Sequence, residues 1–365
     1  MKHTWITLPL AALLLAGCGA GAPAASTAVS SAAVSAAAST AQTQTASGDI
    51  FAMDTYMTIT CYGERAEAAL EAAKAEIERL DSLLSVGNAQ SEISQINANG
   101  SGTVSEDTDQ MLQKALELYK TTGGAFDITV YPLMQLWGFT SGDFAVPEES
   151  KLQSLLQKTG ADKLQYAPNT KTLTLGEGQG IDLGGIAKGY TSDRLMSIFA
   201  DYDLSGAAIS LGGNVQFYGA KQDGSLWRCG IEDPNDPESG NYLGVLEVDD
   251  KAVITSGAYE RYFVDEETGK TYHHILDPAT GTPAESGLTS VTVVSKSGML
   301  ADGLSTSCFV MGLEGAADYW RQYGSDFDLI LMNDEGNVYV TKPLAESLQS
   351  NSPVYCITQE GIKQK

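Results

Sequence analysis

Apolar residues fall into two repeating patterns along this chain, and their order predicts its elements. Ile50 to Tyr62 is strand-like, whereas Glu64 to Leu84, rich in Ala, Glu and Leu, repeats its apolar positions as a long amphipathic helix does. Further helices are predicted over Thr108 to Thr121, stopped by Gly123-Gly124, and over Glu149 to Lys158, stopped by Gly160. Another follows Asp182 and runs to about Phe199. Beyond it come strands: Ala207 to Tyr218, Leu226 to Ile231, Tyr242 to Val248, Ala252 to Ile254, Tyr259 to Asp265 and Leu288 to Val294. Helical structure around Met299 to Tyr323 and a strand group over Leu329 to Tyr339 and Val354 to Thr358 complete the pattern. Helices and strands are partly segregated, so an α+β fold is expected rather than a doubly wound sheet.

The start of the chain fits neither pattern. Lys2 and His3 precede an apolar stretch from Ile6 to Leu15, too short to span a bilayer, which ends in Leu15-Ala16-Gly17-Cys18. This resembles a bacterial lipoprotein signal, with residues 1–17 removed and lipid on the Cys18 thiol. Residues 18–48 carry no charge and consist mostly of Ala, Ser, Thr and Gly, a composition with little apolar surface to bury and suited to a flexible tether. The expected body is residues 49–365, long enough for a single large domain with two intimately packed lobes. Its expected place is extracytoplasmic, lipid-anchored to the bacterial cell membrane.

Charge and rare residues then narrow the chemistry. A formal net charge of −24 speaks against a nucleic-acid footprint, and an anionic ligand would need a cation to bind here. Cys61, Cys229, Cys308 and Cys356 show no CxxC spacing and read as buried small apolar residues, so no essential thiol is expected. His3 lies in the signal, which leaves His273 and His274, too few for a three-histidine zinc site. Both stand before the turn Asp277-Pro278-Ala279-Thr280-Gly281, a rigid place to present side chains. On the residues alone, His274 either does chemistry or stabilises that turn. GxSxG, GxxxxGK[ST] and HExxH are absent.

Two segments supply a candidate site. On a helix, Asp302 and Thr306 lie at i and i+4, so a carboxylate and a hydroxyl project within reach of one hard cation. The segment Asp182-Leu183-Gly184-Gly185-Ile186-Ala187-Lys188-Gly189 complements them. Its glycines admit close backbone approach, a helix start offers free N–H groups to a phosphate, and Lys188 adds charge. Together they suggest a magnesium–diphosphate site.

In order and spacing the chain resembles the FAD:protein FMN transferases, the ApbE-type flavin transferases found as exported lipoproteins. The resemblance rests on Met53-Asp54-Thr55, Ser91-Glu92-Ile93-Ser94, Gly124-Ala125-Phe126-Asp127 with Leu136-Trp137-Gly138-Phe139, the Asp182 to Gly189 segment and Leu211-Gly212-Gly213-Asn214. It continues through Ser256-Gly257 with Tyr259 and Arg261-Tyr262-Phe263, His274-Ile275 with Asp277-Pro278, and Ala301-Asp302 through Thr306. It implies a T-fold-like body, Mg²⁺ held by Asp302, Thr306 and the Gly185 carbonyl, and FAD contacts from Met53, Ala125, Phe126, Asp127, Asp182, Lys188 and Ile275. Trp137 reads as a core aromatic. The chain departs from the pattern at Gly87, where many members carry an aromatic residue, and at Ala258, where an acidic residue is frequent.

The implied reaction is attack by an acceptor threonine on the FMN-side phosphorus of FAD, releasing AMP. Mg²⁺ would neutralise the diphosphate, Lys188 support the leaving group, and His274 act as general base, oriented by Asp277. Expected acceptors are exported proteins of respiratory or extracellular electron-transfer systems. An FAD pyrophosphatase and a non-catalytic flavin-binding lipoprotein are the alternatives. The segment Ser286 to Thr292 loosely resembles an acceptor motif but reads as a buried strand.

Overall fold

The computed structural model describes residues 44–221, 223–236 and 240–365. Cys18, the signal and most of the tether lie outside them. The chain opens with a hairpin, Thr45–Ala52 (β1) and Thr55–Tyr62 (β2), joined through Met53 and Asp54 at φ +49° and +57°. Hence the single strand expected over Ile50 to Tyr62 is two strands, and residues 45–48 belong to the folded body rather than to the tether.

Helices Ala66–Leu84 (α1), Glu92–Asn99 (α2), Glu106–Thr121 (α3), Tyr131–Leu136 (α4) and Glu149–Leu156 (α5) follow, with a small sheet of Ser101–Thr103 (β3), Gln165–Ala167 (β4) and Thr172–Thr174 (β5) among them. Ser91 and Ser105 cap α2 and α3, each accepting from the N–H three residues on. Next come Gly184–Asp201 (α6), Gly206–Leu211 (β6), Asn214–Gly219 (β7), Trp227–Glu232 (β8), Tyr242–Val248 (β9), Ala252–Gly257 (β10), Tyr262–Val264 (β11) and Thr271–His273 (β12). The chain ends with Leu288–Ser295 (β13), Gly298–Tyr323 (α7), Phe327–Asn333 (β14), Val338–Thr341 (β15), Leu348–Ser350 (β16), Val354–Thr358 (β17) and Gly361–Gln364 (β18).

Ten strands form one sheet in the order β1-β2-β6-β7-β10-β13-β14-β15-β17-β18. Its central strands are covered on both faces, which explains the nearly continuous apolar run of β13. Ile254, Val291, Val293, Leu329 and Leu331 pack beneath α3, α6 and α7. Val253, Val294, Ile330 and Met332 face the opposite way, onto the sheet β16-β9-β8. The result is a single α+β domain of helices, sheet and second sheet. Thr292 of the acceptor-like segment is fully buried in β13. Of the cysteines, Cys61, Cys229 and Cys308 are free and buried.

A smaller apolar cluster of Leu133, Trp137, Phe139, Leu152 and Leu276 sits under the two-stranded sheet β11-β12. Trp137 is core, as expected, and its indole N–H donates to the Gly281 carbonyl at 2.8 Å. The turn that follows the two histidines is thereby tied to this cluster.

Candidate functional site

Two helices cross where the candidate metal ligands lie. A Cβ on Gly189 of α6 would overlap the Gly298 carbonyl oxygen and come within 2.6 Å of the Asp302 Cβ of α7, so only glycine permits this approach. The helices also exchange carboxylates. Asp193 of α6 accepts from the N–H groups of Gly298 (2.6 Å) and Met299 (3.0 Å) and from the Ser297 hydroxyl (2.9 Å), capping α7. Asp302 of α7 accepts from the Gly189 N–H at 2.8 Å. Further along, α7 breaks at Gly312, with φ +71°, so Asp302 and Thr306 share its straight first part.

The oxygen set suits a hard cation. In an uninterrupted helix the Gly189 N–H serves the Gly185 carbonyl four residues earlier. Here it also reaches Asp302, and the Gly185 oxygen, with two lone pairs, keeps one beyond any helix bond that it serves. Among the described residues the Thr306 hydroxyl has one hydrogen-bond partner, the Ser256 hydroxyl at 3.4 Å, while Ser256 holds Ser305 at 2.8 Å. Among the described residues no three His, Cys, Asp or Glu side chains cluster to hold a metal. A cation here would therefore take one carboxylate, a hydroxyl and a carbonyl, and fill its remaining positions with ligand or water oxygens, a set that Mg²⁺ accepts. Asn214, set by the Gly212-Gly213 turn, is buried, and its Nδ2 has no hydrogen-bond partner. That amide favours the charged form of Asp302 without closing a hydrogen bond to it. It is a donor left over for a ligand oxygen.

Asp182, Glu260 and His274 are ringed by protein yet keep water-accessible surface, the signature of groups lining a cleft. Burial raises the Asp182 carboxyl, against the Gly184 N–H and the Arg261 charge. Burial likewise raises Asp302, with Lys188 and the Gly189 N–H pulling it down. Glu260 is pushed up to about 7 by burial, with Lys188 opposing and Glu232 and Asp302 adding to the rise. Lys188 forms no ion pair among the described residues, so its charge is available beside Asp302, Glu260 and His274. Glu260 is missing from the sequence-derived set, although it stands between Tyr259 and Arg261 in a quoted motif.

The two histidines diverge as strand alternation demands. His273 packs edge-on against Phe309, 5.5 Å away, with Nε2 at 3.1 Å from the Ala284 carbonyl. His274 places Nδ1 at 3.1 Å from the Arg261 carbonyl, an acceptor, so Nδ1 carries the proton and Nε2 keeps its lone pair. Burial lowers its pKa to about 3, helped by Arg261 and Lys188. Asp277, expected to orient that imidazole, has its hydrogen bond within its own turn. Its carboxylate accepts from the Ala279 N–H at 2.8 Å and closes the turn, while the Arg261 carbonyl orients the imidazole.

The residues expected at FAD divide in two. Met53, Ala125, Asp182 and Lys188 are half-buried and retain accessible surface. Phe126, Asp127 and Ile275 are buried. The Phe126 ring lies where a Cβ on Gly185 or Gly303 would reach it, backing the helix crossing. Asp127 spends its carboxylate on the Thr129 N–H and hydroxyl and the Ala161 N–H. At these three positions only backbone atoms remain for a ligand, so their side chains are supports. A Cβ on Gly87 would meet the Ser85 hydroxyl at an ordinary 3.6 Å.

A family model described as the ApbE family matches residues 53–331. The chain belongs to the ApbE family. An FAD:protein FMN transferase of Klebsiella pneumoniae (strain 342) is 33% identical over 272 residues, covering 73% of this chain and 83% of its own. One of Vibrio cholerae is 35% identical over 243 residues, covering 65% and 72%. The solved ApbE protein of Thermotoga maritima superposes with a TM-score of 0.76 at 31% identity, covering 84% of this chain and 100% of its own. The flavin transferase ApbE from Vibrio cholerae does so with 0.73 at 28%, covering 84% and 99%. The ApbE match spans both crossing helices, the β11-β12 sheet and the turn at Met53.

Proposed function

We propose that this ApbE-family enzyme transfers FMN from FAD to a threonine hydroxyl of an acceptor protein, with Mg²⁺ at the diphosphate. The observation that supports the reading is the position of Lys188, with no ion pair among the described residues, close enough to act on both Asp302 and His274, whose Nε2 keeps its lone pair. Asp302, Thr306 and the Gly185 carbonyl would hold Mg²⁺, which when bound neutralises charge on the diphosphate. Asn214 Nδ2 and Lys188 would meet phosphate oxygens. The acceptor Oγ attacks the FMN-side phosphorus, its proton passes to His274 Nε2, and the bond to the AMP phosphate breaks with Lys188 balancing the departing charge. A diphosphate beside Lys188 and Arg261 also offsets the two cations that depress His274, which raises its basicity when substrate is bound.

The acceptors we propose are exported proteins of electron-transfer systems, met outside the cytoplasm by an enzyme anchored through lipid on Cys18. Cys18→Ala should release active enzyme from membranes; a variant that still fractionates with them refutes the anchor. The reaction is tested by incubating a candidate acceptor with FAD and Mg²⁺ and measuring its intact mass. An FMN adduct on one threonine supports the reading. Release of FMN and AMP with an unmodified acceptor would make the protein a pyrophosphatase instead.

A further inference from the structure

A short strand beside the catalytic histidine has one served side and one bare side. Phe263 points inward from β11 and is packed by Trp137, Phe139, Phe144 and Tyr272, with the Phe144 ring stacked flat on it at 5.2 Å. Its neighbours Tyr262 and Val264 point the other way, and each is 51% exposed. The backbone follows the same alternation. The Arg261 carbonyl accepts from the His274 N–H at 3.0 Å, and the Asp265 N–H donates to the Lys270 carbonyl at 2.9 Å, so the odd-numbered residues bond β12. The N–H and C=O groups of Tyr262 and Val264 therefore face away from β12, along an open edge. Among the described residues sheet β11-β12 has two strands, a marginal unit whose edge accepts a further strand readily.

We propose that this edge, Tyr262–Val264, receives an extended segment of the acceptor protein as a third strand and so feeds the acceptor hydroxyl into the cleft at His274. The inference rests on the flavin-transfer reading, which requires a polypeptide at that cleft. Continuity selects the occupant: β11 starts one residue after Arg261, whose carbonyl orients His274, and two after Glu260. A chain that bonds Tyr262 and Val264 and continues in line passes directly into the group of His274, Lys188 and Glu260. Main-chain pairing also tolerates acceptors of differing sequence, since the contacts come from backbone atoms.

Val264→Pro removes the outward N–H and leaves the bonds to β12 in place, and proline is tolerated at an edge position of this kind. The variant should bind FAD as the wild type does, reach a similar kcat at saturating acceptor, and show a KM for acceptor raised roughly tenfold, as expected for losing one or two net hydrogen bonds. Val264→Thr keeps the N–H and should stay within about threefold of wild type. An unchanged acceptor KM in Val264→Pro, or equal loss of FAD binding and transfer, overturns the proposal. If the wild type makes no FMN adduct at all, the functional reading fails first and separately.

Discussion

Asp302 sits where two long helices cross, 5% exposed and held by a backbone N–H, whereas His274 follows a three-residue strand of a two-stranded sheet and keeps open surface. The first region is built from glycine contacts, a capping carboxylate and the main core. The second leans on a small aromatic cluster and one carbonyl. The difference matches the proposed roles: a cation and diphosphate at Asp302 would need fixed oxygens, while a protein substrate at His274 would need an approach that is not closed off.

The largest expected effect breaks the rigid end. Asp302→Ala should take single-turnover FMN transfer below detection and weaken Mg²⁺-dependent FAD binding, whereas Thr306→Ala, which loses a dipole and no charge, should be milder. Near-wild-type transfer in both would move the cation elsewhere.

At the open end, His274→Asn should retain FAD and slow transfer by about 10²–10⁴-fold, with His273→Asn close to wild type. His274 also sets a pH signature. Its pKa in the free enzyme is lowered to about 3 from an ordinary 6.5, so the base form persists as pH falls, and as far as His274 sets it kcat/KM should stay level between pH 8 and 5 rather than halving near 6.5. The unfolded chain, in contrast, takes up that proton near 6.5, so His274 makes the fold lose stability as pH drops from there toward 3. Denaturation midpoints for wild type and His274→Asn across that window check the sign.

Gly189→Ala should cost about 1–3 kcal/mol of stability by chemical denaturation, because neither helix can retreat from the new methyl. Asp277→Ala should cost about 1 kcal/mol and leave transfer within a few-fold, as a lost turn contact does. A drop comparable to His274→Asn would restore Asp277 as the orienting group. The smallest effect concerns Glu260, which faces Lys188, Glu232 and Asp302. With its pKa near 7 it loses charge as pH falls, so an anionic diphosphate should bind somewhat tighter at pH 6 than at pH 8. Glu260→Gln should flatten that dependence in FAD titrations.

Much of this was legible in the residues. The i, i+4 spacing of Asp302 and Thr306, the glycines of the Asp182 to Gly189 segment and the alternation of the two histidines are local rules, and the folded chain obeys them. Turns were harder. The single strand expected over Ala207 to Tyr218 is the hairpin β6-β7, turned at Gly212-Gly213, a pair suited to such a turn. Met53 and Asp54 carry no such signal, since a methionine at positive φ is held by its surroundings, here by a bond from its N–H to Asp81 at 3.1 Å. Partner choice was out of reach. Whether Asp277 closes its own turn or reaches His274, and whether Asp127 meets a ligand or the Ala161 N–H, depends on packing between segments far apart in the chain.

The reciprocal carboxylates of α6 and α7 bear on how the protein opens. Asp193 holds the amides of Gly298 and Met299, and Asp302 holds that of Gly189, so neither helix can expose its own protected donors without releasing those of the other. Solvent deuterium should thus reach all three amides through one shared excursion, at a single opening free energy, and the proposed cation ligands of the two helices are either all in place or all lost.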